Sequence, residues 1–473
     1  MTHFTFRLGH AKLPLGPRTG MSKMATSLIG RQAVVVGAGM AGLPAARALA
    51  EHFEHVVVLE RDTLPVDASH RSGTPQSPHV HGLLGGGQRA LADLFPGIEQ
   101  TLAAAGAVPL RVGLDVRIET ADYDPFPRRD LGWIAYSMSR PLIESIVRER
   151  VERYPNITIR QRCRARFIVP TRDGAGVAAI HFENGDGKSE TLPADLVVDA
   201  SGRGNLTSAF LESAGVRQPE ETVIGVDIGY ATAVFAIPDD HSADWKGVRT
   251  FGMASQRRGG GLMLPLEGDR WMLTLGGRRG GKPPGDWDGF LGYAKQLRTP
   301  TVYDAVERAE RVGEVARYGF PASVFRHFER LEAFPRGLLP LGDAICRFNP
   351  IYGQGMSVAA QEACLLHQLF RKRAETADPL AGLASAFFTG AGALIDTPWT
   401  LAAVADFAFP GTEGQRPEDF EDRLAFGKAL NQLAARDPAV HRLTTEVQHL
   451  LKPRSVLRDP EIVERVKAMA GQA

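Results

Sequence analysis

Cysteine is scarce: Cys163, Cys346 and Cys364 are the three in 473 residues. Their spacing matches neither a C-x-x-C redox pair nor a metal-ligand set, so they read as reduced, buried thiols of a cytoplasmic protein. No metal site is expected. An excess of one charge is also absent. Lys and Arg number 55 against 54 Asp and Glu, a net charge of +1, which argues against a nucleic-acid partner. No apolar run reaches the roughly 18 residues of a transmembrane helix, so stable membrane insertion is not expected. What remains is a globular composition, 44% hydrophobic and 23% charged, in a chain long enough for two interleaved domains.

Residues 1–30 are basic, are broken by Pro14, Pro17 and several glycines, and lack the continuous apolar core of a signal peptide. They are expected to form a disordered tail, with Met21 and Met24 as alternative starts to Met1.

The most informative stretch follows, Arg31 to Asp62: RQAVVVGAGMAGLPAARALAEHFEHVVVLERD. Ala33 to Val36 has the length and β-branched content of a buried strand. Gly37, Gly39 and Gly42 stand at G-x-G-x-x-G spacing. Ala45 to Phe53 reads as a helix, and Val56 to Leu59 as a second strand ending in Glu60. This strand–turn–helix–strand setting is what a dinucleotide fingerprint requires. Gly37 permits the tight turn, Gly39 lets a pyrophosphate approach the backbone, and Gly42 lets helix and strand pack closely. The helix start offers free N–H groups to phosphates, and Glu60 can accept from a ribose diol. The motif alone does not separate FAD from NAD.

Arg71, Gln76, His79 and His81 concentrate polar groups in the next loop. A cofactor-edge role and a solvated loop are both open readings there. Ser137 to Val151 reads as a helix with Ser139 as N-cap and Pro141 in its first turn. Arg140 at its start opposes the helix dipole, which suggests an anionic partner; a solvent-facing arginine is the competing reading. Residues 157–195 alternate between Asp-Gly and Asn-Gly turns like a β-meander. Leu196 to Val198 is a further buried strand, running into Asp199-Ala200-Ser201-Gly202.

Residues 203–330 form a distinct block of antiparallel strands, with a clear hairpin in GLMLPLEGDRWMLTLGG. Met253, Met263 and Trp271 there, and Trp399 later, are candidates to wall an apolar pocket, with ordinary core as the alternative. Gly337 to Lys372 contains a short strand, Gly342-Asp343, a loop with Pro350, and a helix entered through Gly353-Gln354-Gly355-Met356. Its first N–H groups make a second anion-facing terminus. From residue 374 the chain reads as helical, with breaks at Asp396-Thr397-Pro398-Trp399 and Phe409-Pro410-Gly411. Ile462, Val463, Val466 and Met469 give the last helix an apolar face expected to dock on the body.

Three motifs in this order, GAGMAG with Glu60, DLVVDASGRG, and GDAICRFNPIYGQGM, resemble the FAD-dependent flavoprotein monooxygenase superfamily, which includes para-hydroxybenzoate hydroxylase, squalene epoxidase, geranylgeranyl reductases and flavin-dependent halogenases. RSGTPQSPHVHGLL, FNPIYGQGM and the Pro398-Trp399…Asp406…Pro410-Gly411 stretch are similar to bacterial polyether epoxidases. The resemblance covers about Arg31 to Glu362. It implies an α/β fold with α+β elements: a Rossmann-like FAD-binding domain at 31–202 and 331–373, a substrate-binding sheet domain at 203–330, and a helical region at 374–473. It implies FAD bound by Gly37, Ala38, Gly39, Met40, Ala41, Gly42, Glu60, Arg61, Arg71, Gln76, Arg140, Gly342, Asp343, Pro350, Gly353, Gln354, Gly355 and Met356. Asp343 would meet the ribityl chain, and Gly353 to Met356 the pyrimidine edge of the flavin. The chemistry implied is insertion of one atom of O2 into a small apolar molecule, polyene or aromatic, through a flavin C4a-hydroperoxide. The residues implied are then ones that position groups rather than a protein nucleophile. NADPH, NADH or a separate flavin reductase would supply the electrons. The Asp199-Ala200-Ser201-Gly202 turn departs from the Asp-Gly turn that aromatic hydroxylases link to NADPH. A reductase of an isoprenoid-like double bond is one alternative. A halogenase is another, although W-x-W-x-I-P is absent. A non-catalytic binding protein is a third.

Overall fold

In a computed structural model that describes residues 28–120, 125–252 and 259–470, the first strand is Gly30–Val36 (β1). The expected tail falls almost wholly outside the described residues. Helix Gly42–Leu49 (α1) and strand Phe53–Leu59 (β2) complete the unit. The helix stops short of the expected Phe53, because β2 pairs with β1 from Gly30↔Phe53 onward. Phe53 is fully buried as the first residue of that strand.

Helices Gly85–Leu94 (α2) and Ile98–Ala104 (α3) follow, then strands Val108–Arg111 (β3), Val116–Glu119 (β4) and Ile134–Ser137 (β5). Helix Arg140–Glu152 (α4) starts as its sequence predicts: Ser139 Oγ accepts from Leu142 N at 3.2 Å. Next come Ile157–Arg160 (β6), Arg164–Pro170 (β7), Val177–Glu183 (β8), Ser189–Pro193 (β9), Leu196–Asp199 (β10) and helix Asn205–Ser213 (α5). β6 is not part of the meander expected over 157–195. It pairs in parallel with β2, and the meander is β7–β8–β9 alone. An alternating strand shows which face is buried but not which neighbour it takes.

The middle of the chain holds Glu221–Ala236 (β11), Gly247–Thr250 (β12), Gly260–Leu266 (β13), Arg270–Arg278 (β14), helices Trp287–Lys295 (α6) and Thr301–Val306 (α7), and Arg311–Arg326 (β15). Leu338–Pro340 (β16), Cys346–Arg347 (β17) and helix Gly355–Arg373 (α8) return to the first domain. Helices Leu383–Phe407 (α9), Phe420–Arg436 (α10), Pro438–Gln448 (α11) and Pro460–Ala470 (α12) follow. α9 runs through Pro398, so the expected break there is absent. Ile395, Thr397, Pro398, Ala402 and Ala403 are buried along it, and packing offsets the roughly 3 kcal/mol a helical proline costs. α12 docks on the body through Val466 and Met469, which join the core of α10 and α11.

Two sheets organise the molecule. The parallel sheet has the order β16-β10-β1-β2-β6. Ala33 and Val35 of β1 enter one core under α1, α4 and α8, while Val34 and Val36 enter another under the meander and α5. Burial on both faces explains the unbroken apolar run. The second sheet has the order β17-β15-β11-β14-β13-β12-β4. Residues 203–330 supply its five central strands only. β4 comes from before that block and β17 from after it.

Candidate functional site

The site begins at the turn after β1. Gly37 has φ +105, and a Cβ there would lie 2.7 Å from Ala200 O. A Cβ at Gly42 would lie 1.8 Å from Gly37 O. Neither position admits a side chain, whereas at Gly39 the nearest atoms are the Arg140 and Arg71 guanidinium tips, at 3.7 and 3.9 Å. Gly39 is thus open toward a cavity. The N–H groups of Gly39, Met40 and Ala41 have no hydrogen-bond partner among the described residues. Glu60, 4% exposed, accepts from Ala38 N at 2.7 Å and Asp62 N at 3.0 Å, which leaves lone pairs for a further donor.

The second turn meets the first. A Cβ on Gly342, at φ +69, would lie 2.9 Å from Ala41 Cβ, so two motifs 300 residues apart touch. Gly342 N donates to Glu362 at 2.7 Å. Burial pushes the Glu362 carboxyl up to about 8. Asp343 faces the cavity while encircled by protein, and burial raises it to about 6 against the pull of Arg347 and Arg140. No protein donor reaches Asp343 among the described residues. The N–H groups of Gln354, Gly355 and Met356 at the start of α8 are likewise without protein partners among them.

Charged side chains join the two turns. Glu144, which the sequence did not single out for the site, takes Arg71 Nε at 2.7 Å and Arg140 Nη2 at 2.6 Å. Arg71 also meets Asp62 at 2.9 Å and Glu60 at 3.4 Å. The two arginines keep Glu144 below the usual carboxylate range despite its burial. Arg140 Nε is buried without a partner. Phosphate-facing N–H groups, an orphaned arginine nitrogen, a diol-accepting Glu60 and an unpartnered Asp343 together fit FAD.

The FAD binding domain family matches residues 31–380, about three quarters of the chain. A Mycobacterium tuberculosis protein, Rv3254, is 34% identical over 385 residues, which is 80% of each chain. This chain belongs to the FAD-binding domain family. With it comes FAD as the expected cofactor of the chain. Solved structures agree in fold. The flavin-dependent brominase Bmp2 is 15% identical with a TM-score of 0.62, covering 88% of this chain and 94% of its own. PqsL from Pseudomonas aeruginosa, described as a probable FAD-dependent monooxygenase, is 18% identical with a TM-score of 0.57, covering 81% and 99%.

In this flavoprotein one cavity of about 1870 Å³ joins both turns to the large sheet. A single drug-sized ligand takes about 300–1,000 Å³, so there is room for a cofactor and a second molecule. Gly37, Gly39, Met40, Ala41, Glu60, Arg61, Arg71, Gln76, Arg140, Asp343, Pro350, Gly353, Gln354, Gly355 and Met356 line it. Ala38, Gly42 and Gly342 sit behind the wall and shape the turns.

The wall opposite the turns departs from expectation. Met263 and Trp271 are 0% and 1% exposed and belong to the core beneath α6 and α7. Their strand neighbours Leu262, Leu264 and Thr274 face the cavity instead, because successive side chains alternate across a sheet. Trp399 packs on Phe325 at 5.5 Å, away from the cavity. Met253 lies outside the described residues.

Sequence reasoning also missed three networks. His79 Nδ1 meets Thr232 Oγ1 at 2.7 Å, Thr232 meets Thr274 at 2.6 Å, and Val80 N donates to Thr274 at 3.0 Å. These bonds stitch the 71–84 loop to the sheet, and burial lowers His79 to about 4, leaving it neutral. Asp406 of α9 accepts from Arg278 at 2.5 Å, Asn349 at 2.8 Å and Tyr352 at 2.8 Å, clamping the loop before α8. Asp199 accepts from Ser201 and Thr207, which ties it to the start of α5.

Proposed function

We propose that the protein is a monooxygenase that inserts one oxygen atom of O2 into a small apolar molecule, by epoxidation or hydroxylation. The observation that carries this reading is the continuity of the cavity, from two glycine turns that fit FAD to a wall of Leu262, Leu264, Phe320 and Ile118. FAD, when bound, supplies the electron pair and the activation of O2; the chain's residues hold and surround it. Glu60 would accept the ribose diol. Gly39 to Ala41 and Arg140 would face the pyrophosphate, and Asp343 the ribityl hydroxyls. The N–H groups of Gln354 to Met356 would meet the pyrimidine edge, where fixed donors favour negative charge. The apolar wall would keep water from the reacting end. Electrons would come from NADPH or NADH, directly or through a separate reductase.

The protein should purify yellow and transfer one labelled atom from 18O2 to its product in the presence of NAD(P)H. An unlabelled product, or turnover without oxygen, overturns the monooxygenase reading and favours a reductase.

A further inference from the structure

The strand at the centre of the apolar wall carries a charge. Arg249 lies in β12, and the sheet register sets it between Ile118 of β4 and Leu262 of β13. Its neighbours Val248 and Thr250 point to the opposite face, where both are buried and Thr250 bonds Glu119. Arg249 therefore faces the cavity.

It has no acidic partner among the described residues. Arg71, Arg140 and Arg278 of the same cavity each meet a carboxylate, at 2.7, 2.6 and 2.5 Å, whereas Arg164, Arg203 and Arg347 also line it without an ion pair among the described residues but lie outside the wall formed by Ile118, Leu262 and Leu264. The guanidinium of Arg249 instead lies 4.4 Å from the Phe251 ring centroid. The titratable groups near it among the described residues bring no negative charge. Tyr352 is held protonated by burial and by Asp406, and burial beside Arg249 lowers His449 to about 4, leaving it neutral. Burial pulls the Arg249 pKa down as well, so its surroundings disfavour a lone cation. A buried charge without a partner is costly, and an anion that completes it gains accordingly.

We propose that Arg249 anchors a carboxylate on the substrate, so that the apolar molecule taken by this cavity is an acid. This rests on reading the cavity as a substrate site. The planar guanidinium fork fits a carboxylate with two parallel hydrogen bonds. Ile118, Leu262 and Leu264 then lie along the apolar part of the molecule, and the charged end fixes its register beneath the cofactor.

The test uses FAD-loaded protein and three probes of one chain length: arachidonic acid, its methyl ester and the corresponding alcohol. Binding is followed by perturbation of the visible flavin spectrum. The acid is expected to bind about tenfold to a hundredfold tighter than the ester, the range of charge-assisted hydrogen bonds. Arg249→Met should abolish that preference while changing ester affinity less than threefold, and Arg249→Lys should keep part of it. FAD content and melting temperature of the variants should match the parent. Equal affinity for acid and ester, no binding of any probe, or loss of FAD from Arg249→Met overturns the inference. A clear acid preference without label transfer from 18O2 leaves the anchor standing and removes only the oxygenation reading.

Discussion

Gly39 and Gly42 stand three residues apart and should respond differently to one added methyl. At Gly42 the methyl meets the Gly37 carbonyl at 1.8 Å, so Gly42→Ala should cost about 3–5 kcal/mol or prevent folding. At Gly39 it makes only ordinary contact with the Arg140 and Arg71 tips, at 3.7 and 3.9 Å, so Gly39→Ala should leave the apo melting temperature nearly unchanged and weaken FAD at least tenfold. Thermal melts and flavin fluorescence titration separate the two outcomes. Glu362 makes a prediction in pH. Its folded value is about 8, against roughly 4.3 unfolded. Between these values the unfolded chain has released a proton that the folded chain keeps. Stability should therefore fall as pH rises through that window and level off above 8. Asp343, raised to about 6, has the same sign but finishes earlier, while His79 and His449, lowered to about 4, act with the opposite sign up to their unfolded value of about 6.5, so the Glu362 part is read above pH 7 as the difference between parent and variant. In FAD-free protein, Glu362→Gln should lessen the fall of the urea midpoint between pH 7 and 8; a slope equal to the parent's would place its origin elsewhere.

At the scale of elements, the two faces of the large sheet have separate work. Trp271 is packed beneath α6 and α7, so Trp271→Ala should cost about 3–5 kcal/mol and leave FAD and arachidonate affinities unchanged. A large change in either affinity would move Trp271 back to the cavity wall. The sequence carried the alternation that decides this, yet choosing bulky residues by type placed Met263 and Trp271 on the wrong face. Leu262 and Leu264 were equally legible, but which parity faces a ligand depends on the helices that cover the other side. The α9 clamp was less legible still. Asp406 reaches Tyr352, Asn349 and Arg278 across separations of 54, 57 and 128 residues, and no local pattern encodes such pairings. Removing the acid strands Arg278, so Asp406→Ala should destabilise by about 3–5 kcal/mol, read by denaturant midpoint. The first turn, by contrast, was legible almost residue by residue, because its strand, glycines and acid are contiguous and each glycine meets a local steric demand.

The molecule as a whole depends on parts of the chain that meet only after folding. The turns at 37–42 and 342–356 are each half of the proposed cofactor site, and Gly342 against Ala41 is where they touch. Either turn alone reads as a generic anion-binding helix terminus; their order in the sequence suggested one ligand gripped twice, and their contact in space gives that a geometry. A ligand bound to both halves stabilises the folded state by about 2.7 kcal/mol at a hundred times its dissociation constant. It should also slow amide exchange in both turns together, since neither can open without releasing it. Adding FAD to apo protein should thus protect residues 37–42 and 342–356 in parallel, and leave β8 and β9, which contribute no residue to the cavity, unchanged. Protection confined to 37–42 would mean that the nucleotide is held by the first turn alone. The second turn would then need another ligand to explain its unpartnered N–H groups and the bare carboxylate of Asp343.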